Sequence, residues 1–216
     1  VKRIDMQKWD RREQYAFFSA KQWPYCSVTC ELDVTPARAF MKERGIGAYL
    51  GMIYLVAKAA NHVPELRLRI EDGAVCEHEV VHPSFTVQNV NGQLAFCKAR
   101  YSEDPNDFLP RTRAEMDRAK TTPQQALSST GHDELYLSCL PWVHFTSVSH
   151  PMDLTPQDAI PRITWGRFEP KGGRIVMAVD LLAHHGLADG AHIAQFMGNL
   201  GGFCAEPEKG FTGLRG

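Results

Sequence analysis

The sequence predicts an α/β protein of the two-layer α+β kind, with one mixed β-sheet and helices packed on one face. Three observations predict it. Residues 175–183 form a near-continuous apolar run broken only by Asp180, which suits a buried central strand. Residues 48–61 carry Tyr49, Met52, Ile53, Val56, Ala57 and Ala60 near helical spacing. Helical and strand patterns mix along the chain without strict βαβ alternation, so one mixed sheet is expected.

The elements follow in order. Residues 6–20 read as irregular or helical, with aromatics at Trp9, Tyr15, Phe17 and Phe18. Residues 25–34 alternate, with Cys26, Val28, Cys30 and Leu32 apolar between polar neighbours, so a strand with both thiols facing a core is expected. Thr35 can cap a helix over 36–44, and Pro36 suits its first turn. Gly45 and Gly47 end that helix, the helix over 48–61 follows, and Pro64 lies just past its end. Strands are expected over 66–70, 74–80, 85–90 and 93–99, with Asp72-Gly73 and Asn91-Gly92 as hairpin turns. A polar helix is expected over 105–119 and a loop over 121–133. Residues 135–146 are apolar and β-prone, 151–161 read as loop, and 163–168 as a strand. Lys171-Gly172-Gly173 is a turn, and a last helix is expected over 189–198.

Length and charge narrow the function. The 216 residues suit a single domain over 1–216, large enough to bury roughly 70% of the surface its unfolded chain exposes. The 24 Lys+Arg against 25 Asp+Glu exclude a generally basic nucleic-acid binder and an acidic disordered chain. No apolar run reaches membrane-spanning length, and residues 1–6 become charged too soon for a secretory signal. Six cysteines without a CxxC pair give neither a disulfide scaffold nor a zinc knuckle. A reducing, cytoplasmic setting is expected.

The sharpest chemical signal is His184-His185-Gly186-Leu187-Ala188-Asp189-Gly190, between the apolar strand and the last helix. A strand end holds a side chain rigidly, and an imidazole titrates close enough to neutrality for general-base work. Asp189 can cap the helix and brace the turn. Taken alone, these residues also fit two packed histidines with a capping Asp. A metal set of His184, His185, Asp189 and His192 is weaker, because no HExxH or HxH pattern is present.

His-His-x-x-x-Asp-Gly after a buried strand resembles the motif of the coenzyme A-dependent acyltransferase superfamily. Other segments resemble its chloramphenicol acetyltransferase family in particular: Trp9-Asp10-Arg11-Arg12-Glu13, the helix around Gly51 to Asn61 followed by Glu65-Leu66-Arg67, Ser84-Phe85-Thr86-Val87, and Leu140-Pro141-Trp142-Val143-His144-Phe145-Thr146-Ser147. The resemblance is collinear over about residues 5–200 and implies a coenzyme A-dependent acyltransferase-like fold. It implies acetyl transfer from acetyl-CoA to the 3-hydroxyl of chloramphenicol in a ternary complex, giving antibiotic resistance, without a metal.

By this resemblance His185 is the general base, Ser147 stabilises the tetrahedral oxyanion, and Thr164 holds a water near it. Asp189 and Arg11 match a supporting ion pair. Phe17, Phe18, Gln22, Leu94 or Phe96, and Ala126 or Leu127 fall at acceptor-pocket positions, and Phe168 on the coenzyme A side. Several depart from the family: Phe18 stands for a pocket tyrosine, Gln22 for a leucine, and Leu127 or Ala126 for an aromatic. His144 stands where Ser or Asn is usual, and Phe168 where Tyr is frequent. The resemblance also implies a homotrimer with active sites at subunit interfaces. The alternatives are an acyltransferase of this fold with another alcohol, amine or thiol acceptor, a metal-dependent hydrolase, and a non-catalytic binding or structural protein.

Overall fold

The computed structural model of the protein describes residues 1–121 and 131–215. In chain order the strands are β1 (Lys2–Arg3), β2 (Tyr25–Asp33), β3 (Leu68–Glu71), β4 (Ala74–Glu77), β5 (His82–Gln88), β6 (Leu94–Lys98), β7 (Glu134–Leu140), β8 (Arg162–Gly166), β9 (Glu169–Lys171) and β10 (Arg174–His184). The helices are α1 (Arg12–Ser19), α2 (Thr35–Glu43), α3 (Ala48–Asn61), α4 (Pro105–Thr121), α5 (Gly190–Ala205) and α6 (Pro207–Gly210).

The main sheet is mixed, as expected. Its order is β2-β10-β8-β7-β5-β6, with β9 pairing the start of β10. β7 runs parallel to both β5 and β8, and the other pairs are antiparallel. The pleat sends Phe85, Val87, Leu135, Leu137, Ile163, Trp165, Met177, Val179, Leu181 and Ala183 into one apolar core. Helix α3 fills the middle of that core, buried from Leu50 to Ala60 on every side, and α2 and α5 pack beside it.

The opposite face is polar along its centre. Thr29, Asp180, Thr164 and Ser138 lie side by side in register across four strands. This places the one charge of the apolar run: Asp180 points away from the helices, where its Oδ2 accepts the Ser27 and Thr29 hydroxyls at 2.7 Å each. Its buried Oδ1 has no partner among the described residues.

Several expectations need correction. A second sheet exists, three-stranded and antiparallel in the order β1-β4-β3, so the fold is not built on one sheet alone. The alternation over 66–70 is split: Pro64–Arg67 forms a 3-10 turn and the strand starts at Leu68, because Pro64 sets the first helical φ. Thr35 lies inside α2 rather than capping it, its N–H donating to Asp33 Oδ1 at 2.9 Å. Asp72-Gly73 forms the tight turn expected, with φ of 48° and 74°. Asn91-Gly92 does not: only Gly92 has a positive φ, since Asn89 Oδ1 accepts the Asn91 and Gln93 N–H groups and closes a longer loop. Strand β7 ends at Leu140, and most of the loop expected over 121–133 lies outside the described residues. Cys26 and Cys30 pack against the core but stay half-buried, and Val28 is exposed, because β2 is an edge strand.

Candidate active site

The His-His turn sits where β10 leaves the sheet. His184, the last strand residue, is 2% exposed, and its carbonyl accepts the Leu187 and Ala188 N–H groups to close the turn. Its ring is fully specified. Nδ1 accepts the Gly186 N–H at 3.2 Å, so the proton is on Nε2, 3.0 Å from Gln157 Oε1. Gln157 Nε2 in turn donates to the Ser19 carbonyl at 2.8 Å. Tyr25 meets the ring edge-on and Tyr15 lies beyond it.

Burial pushes the His184 ring down to about 4, and the neighbouring His185 pushes the same way. A histidine held below its unfolded value adds nothing above that value, where it is neutral in both states, and costs stability as pH falls through about 6.5 toward about 4, on the order of 3 kcal/mol in all. The expected result in an NMR titration is one histidine, assigned to His184, whose ring shifts stay constant from pH 7.5 to about 5. A His184 resonance titrating near 6.5 contradicts this.

His185 is half-buried, and its backbone N–H donates to the Pro24 carbonyl at 2.7 Å. Phe18 stacks flat on its imidazole, with centroids 3.8 Å apart and planes within 8°. Phe17 meets Phe18 edge-on at 5.1 Å and is itself exposed under the Lys21 ammonium. A base that keeps Nε2 free as acceptor calls for a partner at its other ring nitrogen, commonly a backbone carbonyl. His185 Nδ1 is buried with no partner among the described residues.

Asp189 does both jobs expected of it. Its Oδ1 accepts the Ala191 N–H and caps α5, while His192 Nδ1 accepts the Asp189 N–H to complete a capping box. Its Oδ2 takes Arg11 Nη1 at 2.6 Å. Burial raises the carboxyl pKa, but the Arg11 and Ala191 hydrogen bonds outweigh it and hold the carboxyl below the usual range. His184, Asp189 and His192, three members of the metal set considered above, therefore have nitrogens or oxygens already engaged within the protein.

The structure does not bring the remaining site residues to His185. Thr164 pairs with Asp180, five residues before His185, which is about 16 Å along the strand. Its hydroxyl lies 3.1 Å from His150 Nε2. Ser147 is exposed in the irregular segment after β7, not in a strand. That segment lies over the polar sheet face: His144 Nε2 is 3.3 Å from Glu31 on β2, and His150 meets Thr164 on β8. Leu94 and Phe96 are exposed on β6, four strands from β10 and so about 19 Å across the sheet. Gln22 is exposed just after α1, and Phe168 is half-buried against the core beyond β8. Ala126 and Leu127 lie outside the described residues.

Sequence reasoning missed Gln157, His150 and Pro24. None has a periodic or motif signal, because each acts through contacts made by an irregular segment.

Comparison with known proteins gives the same grouping. The sequence profile described as "Chloramphenicol acetyltransferase" matches residues 1–201. Chloramphenicol acetyltransferase 2 of Haemophilus influenzae is 31% identical over 211 residues, covering 94% of this chain and 96% of that protein. Chloramphenicol acetyltransferase 3 of Escherichia coli is 29% identical over 204 residues, with the same coverage. A solved chloramphenicol acetyltransferase superposes with a TM-score of 0.82 at 27% identity, covering 93% of this chain and 98% of that one. With the profile matched from residue 1 to 201, this chain belongs to the chloramphenicol acetyltransferase family.

Proposed function

We propose that this acyltransferase moves the acetyl group of acetyl-CoA to the 3-hydroxyl of chloramphenicol and so confers resistance to it. One observation carries the reading. His185 stands at the end of a buried strand, its ring clamped under Phe18, beside a His184 that burial keeps neutral. Both ring nitrogens of His184 are engaged within the protein, which leaves His185 as the imidazole available to the acceptor hydroxyl.

In this reading His185 Nε2 takes the acceptor hydroxyl proton as that oxygen bonds to the thioester carbon. Ser147 donates to the resulting oxyanion and Thr164 holds a water beside it. The carbon–sulfur bond then breaks, and the departing thiolate takes the proton back from His185. Acetyl-CoA is the co-substrate, and no step calls for a metal. Phe17, Phe18, Gln22, Leu94 or Phe96, and Leu127 contribute to the acceptor pocket, and Phe168 to the coenzyme A side. The whole chain acts as one cytoplasmic domain.

The same reading requires more than one copy. Thr164, Leu94 and Phe96 stand about 16 Å and about 19 Å from the His185 end within one chain. The exposed Phe17, Val28, Leu94, Phe96, Trp142 and Val143 supply apolar surface for a contact between copies. A homotrimer whose sites join His185 of one subunit to Ser147 and Thr164 of the next satisfies both observations.

The test is coenzyme A release from acetyl-CoA, followed with a thiol reagent, with and without chloramphenicol. The expected result is fast release that requires chloramphenicol. Release stimulated only by other alcohols, amines or thiols keeps acyl transfer but discards this acceptor. Among pocket residues, Phe18 and Gln22, which depart from the family, are then the places to look.

A further inference from the structure

We infer that His150 is a positioning residue for the oxyanion side of the site, holding both the Thr164 hydroxyl and the segment that carries Ser147. The inference rests on the acetyl-transfer reading, which assigns those two hydroxyls to the oxyanion and its water.

Val143 is tied at both ends: its N–H donates to the Leu140 carbonyl at 3.2 Å and its own carbonyl accepts the Arg167 N–H at 2.8 Å. Phe145 is buried and acts as an apolar anchor. Beyond it the backbone is irregular. Among the described residues, the contact of His150 Nε2 with Thr164 Oγ1 at 3.1 Å is the only hydrogen bond made between Thr146 and Met152. Ser147 lies between the buried Phe145, two residues before it, and His150, three residues after it, so this bond is the hydrogen-bonded tether on its C-terminal side.

The other end of the bond is rigid. Thr164 is 1% exposed in the middle of the sheet, between Asp180 and Ser138. Burial, then the positive charge of Arg162, push the His150 ring below the usual histidine range, with Asp180 opposing them. The ring is therefore neutral at working pH and carries one N–H. If Nε2–H donates to Thr164 Oγ1, the threonine proton is left to point away from His150, toward the water it holds. The imidazole thus orients one hydroxyl and tethers the other without touching the reacting atoms.

Two variants separate positioning from bulk. His150→Gln can return an N–H donor near the Nε2 position, and His150→Leu fills the space without one. The expected result for His150→Leu is a kcat about 10- to 100-fold lower, with KM for chloramphenicol and acetyl-CoA nearly unchanged. That is below the loss of about 10²–10³-fold for removing an oxyanion donor itself. His150→Gln recovers most of it. Crystal structures of both variants give a readout independent of turnover: Ser147 and Thr164 keep their places in His150→Gln, and residues 146–149 shift or lose order in His150→Leu. Unchanged kcat in His150→Leu, a loss that His150→Gln does not repair, or a Leu variant with Ser147 undisturbed each overturns the inference. If the unaltered enzyme releases no coenzyme A with chloramphenicol, the functional reading fails, and the two crystal structures still decide whether His150 tethers the segment.

Discussion

Replacing His185 by alanine lowers kcat by on the order of 10²–10⁴-fold while the protein still folds and binds coenzyme A. The size follows from the general-base role proposed for His185. Without a base at that position the acceptor hydroxyl must attack with its proton still attached, and no other imidazole can take over. His184 is the nearest candidate, but its Nδ1 is engaged by the Gly186 N–H, its Nε2–H by Gln157, and its side chain is buried. Stability changes far less. The ring is half-buried, and its stacking on Phe18 contributes on the order of 1 kcal/mol. The measurements are steady-state kinetics, a thermal melt and coenzyme A binding on the same preparation. A His185→Ala variant with more than about a tenth of the original kcat removes His185 from the role.

Mixing two inactive variants restores activity. In the proposed homotrimer, His185→Ala and Ser147→Ala are each expected to disable every site of their own assembly, the second by about 10²–10³-fold. Ser147→Ala is expected to be silent in stability, because the side chain is exposed and makes no hydrogen bond among the described residues. In trimers assembled at random from the two, a site joining His185 of one subunit to Ser147 of the next is intact one time in four. Activity therefore returns to roughly a quarter of the unaltered level after co-expression or after denaturing and refolding together. Mixing folded homotrimers without exchange gives nothing. A refolded mixture that stays as inactive as its parents means that base and oxyanion donor come from the same subunit, which the spacing along β10 makes hard to arrange.

The sequence by itself determined the elements whose signals are local. The helical period of 48–61 gave α3 its bounds, and the apolar run of 175–183 marked β10 to within a residue at each end. The His-His-x-x-x-Asp-Gly turn, with Asp189 as cap, was legible because strand end, turn and cap adjoin one another in the chain. Arg11 was legible only through the resemblance, since 178 residues separate it from Asp189. The tertiary structure alone decided what depends on sheet register and long-range contacts. It put Thr164 opposite Asp180 rather than beside His185, turned Asp180 away from the helices, and set Leu94 and Phe96 at the far side of the sheet. It also recruited Gln157 and His150 from irregular segments to hold His184 and Thr164. The physical reason is the range of the cause. A cap or a period is satisfied by residues a few positions apart, whereas register is fixed only when strands distant in sequence pack on one core, and a side chain in an irregular loop has no partner until they do.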